Sequence, residues 1–313
     1  MDIDQCSWTI APTVLPSTFG MNMPLFNKDP SLITTIDMHT QGEPVRILTK
    51  QLKYPKSLKN LLEKRTYFNN NLDHYRVILN SEPRGHEAMY GVIVLEPDEG
   101  MGDIAVLFTH NEGYSTMCGH ASLALCRYLI DAKLIPLPYN VVEDSIFNFT
   151  LQCPCGPIQC STKLVLDKLS NEIISNKNHE ASYIGVKSFN VALDLNIEFK
   201  NDIKFFKNYT NFYLDLSFGG AFYCLLDLTQ LDLNLNDIII KNKRKNFVDN
   251  DNNDENFLVD TSALSSSSCD LDTVLEFGKS LLKFLKNQEK ITNLLNHENS
   301  DLNFLYGLIL TDG

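Results

Sequence analysis

Apolar positions recur along this chain in two rhythms. Ala121, Ala124, Leu125, Tyr128, Leu129 and Ala132 fall at i, i+3, i+4, i+7, i+8 and i+11, the period of one helix face. Ser115 or Thr116 is the expected N-cap and Pro136 the expected stop. A second helical stripe, broken by Gly278, runs through Leu271, Val274, Leu275, Leu281, Leu282 and Leu285. It reads as a core-facing scaffold helix with Lys279, Lys283 and Lys286 on its solvated side.

Elsewhere the apolar runs are short and partly β-branched, which suits strands. Met89–Leu95 and Ile104–Thr109 flank the turn-rich segment Glu96–Gly102 and predict a hairpin that leads into residues 115–119. Further strands are expected at Val45–Thr49, Phe147–Cys153, Tyr213–Ser217 and Phe222–Asp227. Residues 1–30 contain four prolines and little periodicity, and read as a disordered N-terminal extension. Residues 234–268 carry Lys241–Lys245, a stretch without apolar residues and a run of four serines; this low-complexity insertion cannot bury enough surface to offset chain entropy.

Composition narrows the class. The 313 residues are 43% hydrophobic, enough for one or two buried cores. A net charge of −12 argues against nucleic acid or an anionic membrane as partner. No apolar run approaches a membrane span, and the first residues lack the basic start and apolar core of a signal peptide. The eight cysteines therefore read as reduced thiols of a cytoplasmic protein, and two glycosylation-like triplets, Asn148–Thr150 and Asn208–Thr210, as chance matches. Cys153, Cys155 and Cys160 lack a second ligand pair at zinc spacing and are placed on a strand and its turn; no metal is expected.

The chemistry concentrates at Met117-Cys118-Gly119-His120. Cys118 falls in or beside the first turn of the predicted helix. Unpaired N–H groups and the positive end of the macrodipole favour an anion there. A thiol so placed is expected to have a lowered pKa, and the N–H groups of Gly119 and His120 can hold a carboxylate. Asp37, His39 and Glu43 have the composition of an acid–base cluster, but His39 and Glu43 read as fold-bracing residues, one of which borders the site. Arg84, Gly85 and His86 read as a turn near the site. Gly219-Gly220 lacks the spacing and lysine of a phosphate loop and reads as a close backbone approach.

This Met-Cys-Gly-His segment resembles the first catalytic motif of the proline racemase family. So do Asp37–Arg46, Pro83–Gly91 and Phe218–Tyr223, in order. The family contains proline racemases, 4-hydroxyproline epimerases and trans-3-hydroxy-L-proline dehydratases. His110–Tyr114, Cys153–Gly156 and Phe304–Gly313 lean toward the dehydratases. The resemblance implies the α+β, diaminopimelate-epimerase-like fold, in which two domains each wrap a curved sheet or barrel around a central helix. Residues 31–183 would form the first domain. Residues 184–313 would form part of a second, carrying the 234–268 insertion.

The resemblance also implies a function: dehydration of trans-3-hydroxy-L-proline to Δ1-pyrroline-2-carboxylate without metal or pyridoxal phosphate. Cys118 would be the base, and Gly119 and His120 the carboxylate binders. The partner would be the small hydroxyproline substrate, with a homodimer left open. The family's second catalytic turn carries cysteine in racemases and threonine in dehydratases, and lies downstream of the segment matched by Tyr306-Gly307. On that reading the second domain is incomplete, and the chain by itself is expected to be inactive. A racemase or 4-hydroxyproline epimerase, and a non-catalytic remnant, stay open as alternatives.

Overall fold

The computed structural model describes residues 33–49, 52–138, 142, 145–170, 172–176, 180–198, 210–231, 271–297 and 300–311. The expectations for 1–30 and 234–268, together with Cys6, Cys269 and Asn208, lie outside these residues. The chain divides into two compact units, Met1–Val186 and Lys187–Gly313.

The first unit is built on a nine-stranded sheet. Its strands are β1 (Thr35–Thr40), β2 (Glu43–Leu48), β3 (Tyr90–Leu95), β4 (Ile104–His110), β5 (Gly113–Ser115), β6 (Ile146–Cys153), β7 (Gly156–Asp167), β8 (Glu172–Ser175) and β9 (Ser182–Ile184). The order is β1-β2-β3-β4-β6-β7-β8, with β5 paired to β4 and β9 to β7. The predicted hairpin is present: β3 and β4 run antiparallel. The predicted helix is α3 (Gly119–Asp131), which touches β1, β2 and β3 as well as β7, β8 and β9. The sheet therefore curls around α3 but stays open, with β1 and β8 at its ends; among the described residues there is no closed barrel. Because strands surround α3, every residue from Ala121 to Ile130 is buried, including those off the predicted apolar face.

Both ends of α3 differ from expectation. The N-cap is Cys118 itself, in extended conformation; the Ser115 hydroxyl instead donates to the Met117 carbonyl at 2.8 Å. At the other end, Lys133 takes a left-handed conformation (φ 56). Its N–H bonds the Ile130 carbonyl, and the Leu134 N–H bonds that of Leu129. This Schellman-type turn ends the helix ahead of Pro136.

The run Ile104–Phe108 does not alternate because the sheet is covered on both faces. Ile104, Val106 and Phe108 join the core around α3. Ala105 and Leu107 join a second core with Leu61 and Phe68. That second layer was not predicted. It consists of α1 (Leu61–Tyr67), a π-helical turn at Phe68–Leu72 and α2 (Asp73–Asn80). A buried ion pair ties α1 to the β3–β4 turn: Lys64 Nζ lies 2.7 Å from Asp98.

The second unit has a four-stranded sheet, β10 (Phe189–Glu198), β11 (Asn211–Phe218), β12 (Phe222–Asp227) and β13 (Leu305–Thr311), in that order. β12 and β13 are parallel and the other pairs antiparallel. The second predicted helix is α4 (Leu271–Lys286), followed by the short α5 (Glu289–Thr292). α4 packs on β13. Phe277, Leu281 and Leu285 are buried, whereas Leu275 is 51% exposed, so the buried stripe is offset from the predicted one. Lys279, Lys283 and Lys286 are exposed as expected. In the β11–β12 turn, Gly220 has φ +103, and a Cβ on Gly219 would meet Ser188 only at 3.9 Å. The turn needs left-handed backbone at Gly220, and at Gly219 there is no close approach of the kind expected.

Candidate functional site

Cys118 sits where β5 hands over to α3, and three neighbours fix that turn. The Cys155 N–H donates to the Thr116 carbonyl at 3.1 Å, pinning the β6–β7 turn beneath it. Arg65 donates to the Tyr114 carbonyl at 2.7 Å. Arg76, paired with Asp73, donates to the carbonyls of His110 and Asn111. Thus α1 and α2 hold the strand pair that delivers the cysteine.

The first intrahelical bond runs from the Ser122 N–H to the Cys118 carbonyl. The N–H groups of Gly119, His120 and Ala121 therefore stand outside the helical ladder, as at any helix start. The Cys118 thiol is only 5% exposed. Burial pushes it up to about 12; the Ala121 N–H pulls it down and the Glu43 carboxylate pushes it further up. This corrects the expected lowered pKa: the helix terminus acts on the thiol, but desolvation outweighs it. A thiol raised this far is protonated at neutral pH.

His120 lies beside it. Its Nε2 is 3.2 Å from the Pro44 carbonyl, which can only accept, so Nε2 carries the proton. The sulfur is 3.4 Å from Nδ1 and 3.8 Å from Nε2. Near-equal distances place it over the ring rather than in line with either lone pair. Burial lowers the His120 pKa, opposed by Glu43 and the Pro44 carbonyl, so the ring is neutral at pH 7. The Thr40 hydroxyl donates to the His120 carbonyl at 2.8 Å, and the Tyr90 ring meets the imidazole edge-on at 5.0 Å. The β1–β2 turn thus braces the start of α3.

The other candidates separate clearly. Asp37 holds Arg46 through two hydrogen bonds. The His39 ring accepts from the Gly42 N–H at 3.3 Å and braces the turn. Glu43 is exposed and borders the site through its charge. Arg84 and His86 give their carbonyls to Arg46 and Asn111, in a turn joined to the β4–β5 connection. A cavity of about 560 Å³ lined by Ile33, Thr35, Arg46, Ile78, Leu79 and Arg84 lies toward the opposite end of the β1–β2 pair from the Cys118 turn. Tyr183 is a neighbour that sequence reasoning missed: a Cβ on Gly119 would lie 2.7 Å from its hydroxyl. Its strand, β9, is three residues long and carries no motif.

Cys153, Cys155 and Cys160 lie in β6, in the turn and in β7, as expected. With Cys118, Cys126 and Cys224 they are free and buried. Among the described residues no group of three His, Cys, Asp or Glu side chains is placed to hold a metal, and no helix is long and apolar enough to cross a membrane.

The raised thiol has a direct readout. Alkylation of Cys118 by iodoacetamide should rise about tenfold per pH unit up to pH 9 without a plateau, because only the thiolate reacts. Glu43→Gln should increase the rate at fixed pH by about twofold, the small effect of an exposed charge. A plateau near pH 7, read by mass spectrometry of the labelled peptide, would contradict the burial argument.

A family model described as proline racemase matches residues 35–246. The trans-L-3-hydroxyproline dehydratase of Xenopus tropicalis is 33% identical over 286 residues, 91% of this chain and 66% of that protein. The trans-3-hydroxy-L-proline dehydratase of Homo sapiens is 33% identical over 284 residues, 90% of this chain and 65% of that protein. The chain therefore spans less than two thirds of either relative's length. A solved hydroxyproline epimerase from Agrobacterium vitis, with bound trans-4-hydroxy-L-proline, superposes with a TM-score of 0.50 at 19% identity. The match covers 65% of this chain and 54% of that one, a likeness of fold.

Proposed function

Since this chain belongs to the proline racemase family, we propose that the protein containing it is a trans-3-hydroxy-L-proline dehydratase, a cofactor-independent hydro-lyase in which Cys118 removes the Cα proton. What carries the reading is Cys118 as N-cap of α3, inside the matched segment, beside N–H groups that the helix leaves open. The relatives named as dehydratases support the substrate and the reaction.

The substrate carboxylate docks on the N–H groups of Gly119 and His120, where the helix terminus favours an anion. Its charge is then neutralised, and negative charge developing at Cα is tolerated. Docking also carries the ring ammonium past the sulfur. An adjacent cation favours the thiolate and opposes the desolvation that pushes the thiol up to about 12. The thiol proton passes to solvent as the ammonium arrives; the thiolate then takes the Cα proton, and the C3–O bond breaks. That proton and the departing hydroxide make water, and the enamine tautomerises to Δ1-pyrroline-2-carboxylate.

The test is to incubate the protein with trans-3-hydroxy-L-proline and detect Δ1-pyrroline-2-carboxylate as its o-aminobenzaldehyde adduct. Formation of the adduct without added metal or pyridoxal phosphate is expected. Inversion at Cα without loss of water would instead assign an epimerase or racemase.

A further inference from the structure

Gly119 is the first residue of α3, and the space its missing side chain would fill is occupied. A Cβ there would lie 2.7 Å from the Tyr183 hydroxyl, 3.6 Å from ring atom Cζ and 3.8 Å from Cε1. Only the hydroxyl is closer than ordinary van der Waals contact. Helical Cα–Cβ bonds tilt toward the N-terminus. A group lying against the Cβ position of the first helical residue therefore stands at the rim of the open N–H groups. The tyrosine is set there by the sheet: β9 pairs with β7, placing Tyr183 opposite Cys160, and β9 touches α3. The half-buried ring packs on the core around α3. A phenol held this way brings a neutral O–H donor to an anion site without adding a charge that would alter the nearby thiol.

We propose that Tyr183 is a further substrate-binding residue, its hydroxyl donating to the carboxylate of the cyclic amino acid at the start of α3. The proposal rests on reading that helix start as the carboxylate site. It assigns glycine at 119 two tasks: an N–H for the carboxylate, and room for the hydroxyl that joins it.

Pyrrole-2-carboxylate, a planar mimic of the deprotonated ring, is the probe. Its affinity is read as the concentration giving half-protection of Cys118 against iodoacetamide at pH 9. Tyr183→Phe should raise that concentration about tenfold, the effect of losing one hydrogen bond to a charged group. KM for trans-3-hydroxy-L-proline should rise similarly, and kcat should fall as well, because charge spreading from Cα onto the carboxylate strengthens the bond in the transition state. Gly119→Ala should lower both the thermal midpoint and the affinity. Adding Tyr183→Phe to Gly119→Ala should restore the midpoint, since the nearest ring atoms then stand at 3.6 and 3.8 Å. It should leave the affinity no better than that of Tyr183→Phe. A merely structural tyrosine would not separate midpoint from affinity in this way. If the probe fails to protect Cys118 in the unaltered protein, the carboxylate-site reading and this proposal both fall. If it protects, but Tyr183→Phe leaves half-protection unchanged or the double variant recovers no stability, the Tyr183 assignment alone is overturned.

Discussion

Cys118→Ser should lower the rate of trans-3-hydroxy-L-proline dehydration by about three orders of magnitude, the middle of the range for loss of a positioned base. The hydroxyl of serine is close to isosteric with the thiol, so folding should be little affected. Its acidity is the difference. A serine hydroxyl ionises far above any thiol, and the burial that pushes Cys118 up to about 12 would act on it too. A substrate ammonium can recruit a thiolate from that starting point but not an alkoxide. Steady-state kinetics should show the loss in kcat, with the Kd of pyrrole-2-carboxylate at the carboxylate site unchanged when read by calorimetry. Retention of more than about a tenth of the parent rate would remove Cys118 from the mechanism, because loss of a positioned base costs at least about a hundredfold.

Lys64→Ala should destabilise the protein by about 4 kcal/mol, the cost of leaving a buried charge without its partner. The side chains of Lys64 and Asp98 are 7% and 11% exposed. The Lys64 ammonium also donates to the Glu96 carbonyl at 3.0 Å. Asp98 accepts from the Leu61 N–H at 2.7 Å and from Gln152 at 2.6 Å, so one carboxylate joins α1, the β3–β4 turn and β6. Burial raises the Asp98 pKa, but Lys64, Gln152 and Leu61 together hold it below the ordinary carboxylate value. A depressed folded pKa contributes stability that is present above the unfolded value near 4 and is lost as pH falls through the folded one. In the alanine variant the counter-charge is gone and the Asp98 pKa rises, so the gap between parent and variant should shrink from pH 7 toward pH 3. Urea unfolding across that range measures it. Lys64→Ala/Asp98→Asn should recover part of the loss, since the amide needs no counter-ion. An equal gap at both pH extremes would show that the pair is not the source.

Much of the site was legible from residue order alone. β3, β4, β6, β11 and β12 follow from β-branched apolar runs closed by turn residues, and α3 and α4 from their helical stripes. These are local signals, and the strands and helices they mark lie within a few residues of the expected bounds. α1 and α2 were not legible, because the π-helical turn at Phe68–Leu72 resets the phase between them and breaks the 3.6-residue period. Tyr183 could not be found for a different reason. Its β9 partner strand carries Cys160, 23 residues earlier in the chain, and the helix it reaches begins 64 residues before it.

The sequence by itself determined the family, the α+β class and the chemical identity of the turn at Cys118, Gly119 and His120. Those depend on which residue types follow one another, and short-range spacing records that. Tertiary structure alone decided the state of the site. Whether Cys118 is a thiolate depends on a balance between the helix terminus, which is local, and burial, which is made by strands from 35 to 184 closing around α3. The local term favoured the anion, the non-local term outweighed it, and only the folded core contains the second. Likewise, glycine at 119 reads in the sequence as part of a motif, while the close approach of the Tyr183 hydroxyl, which a side chain there would block, exists only once β9 has paired with β7.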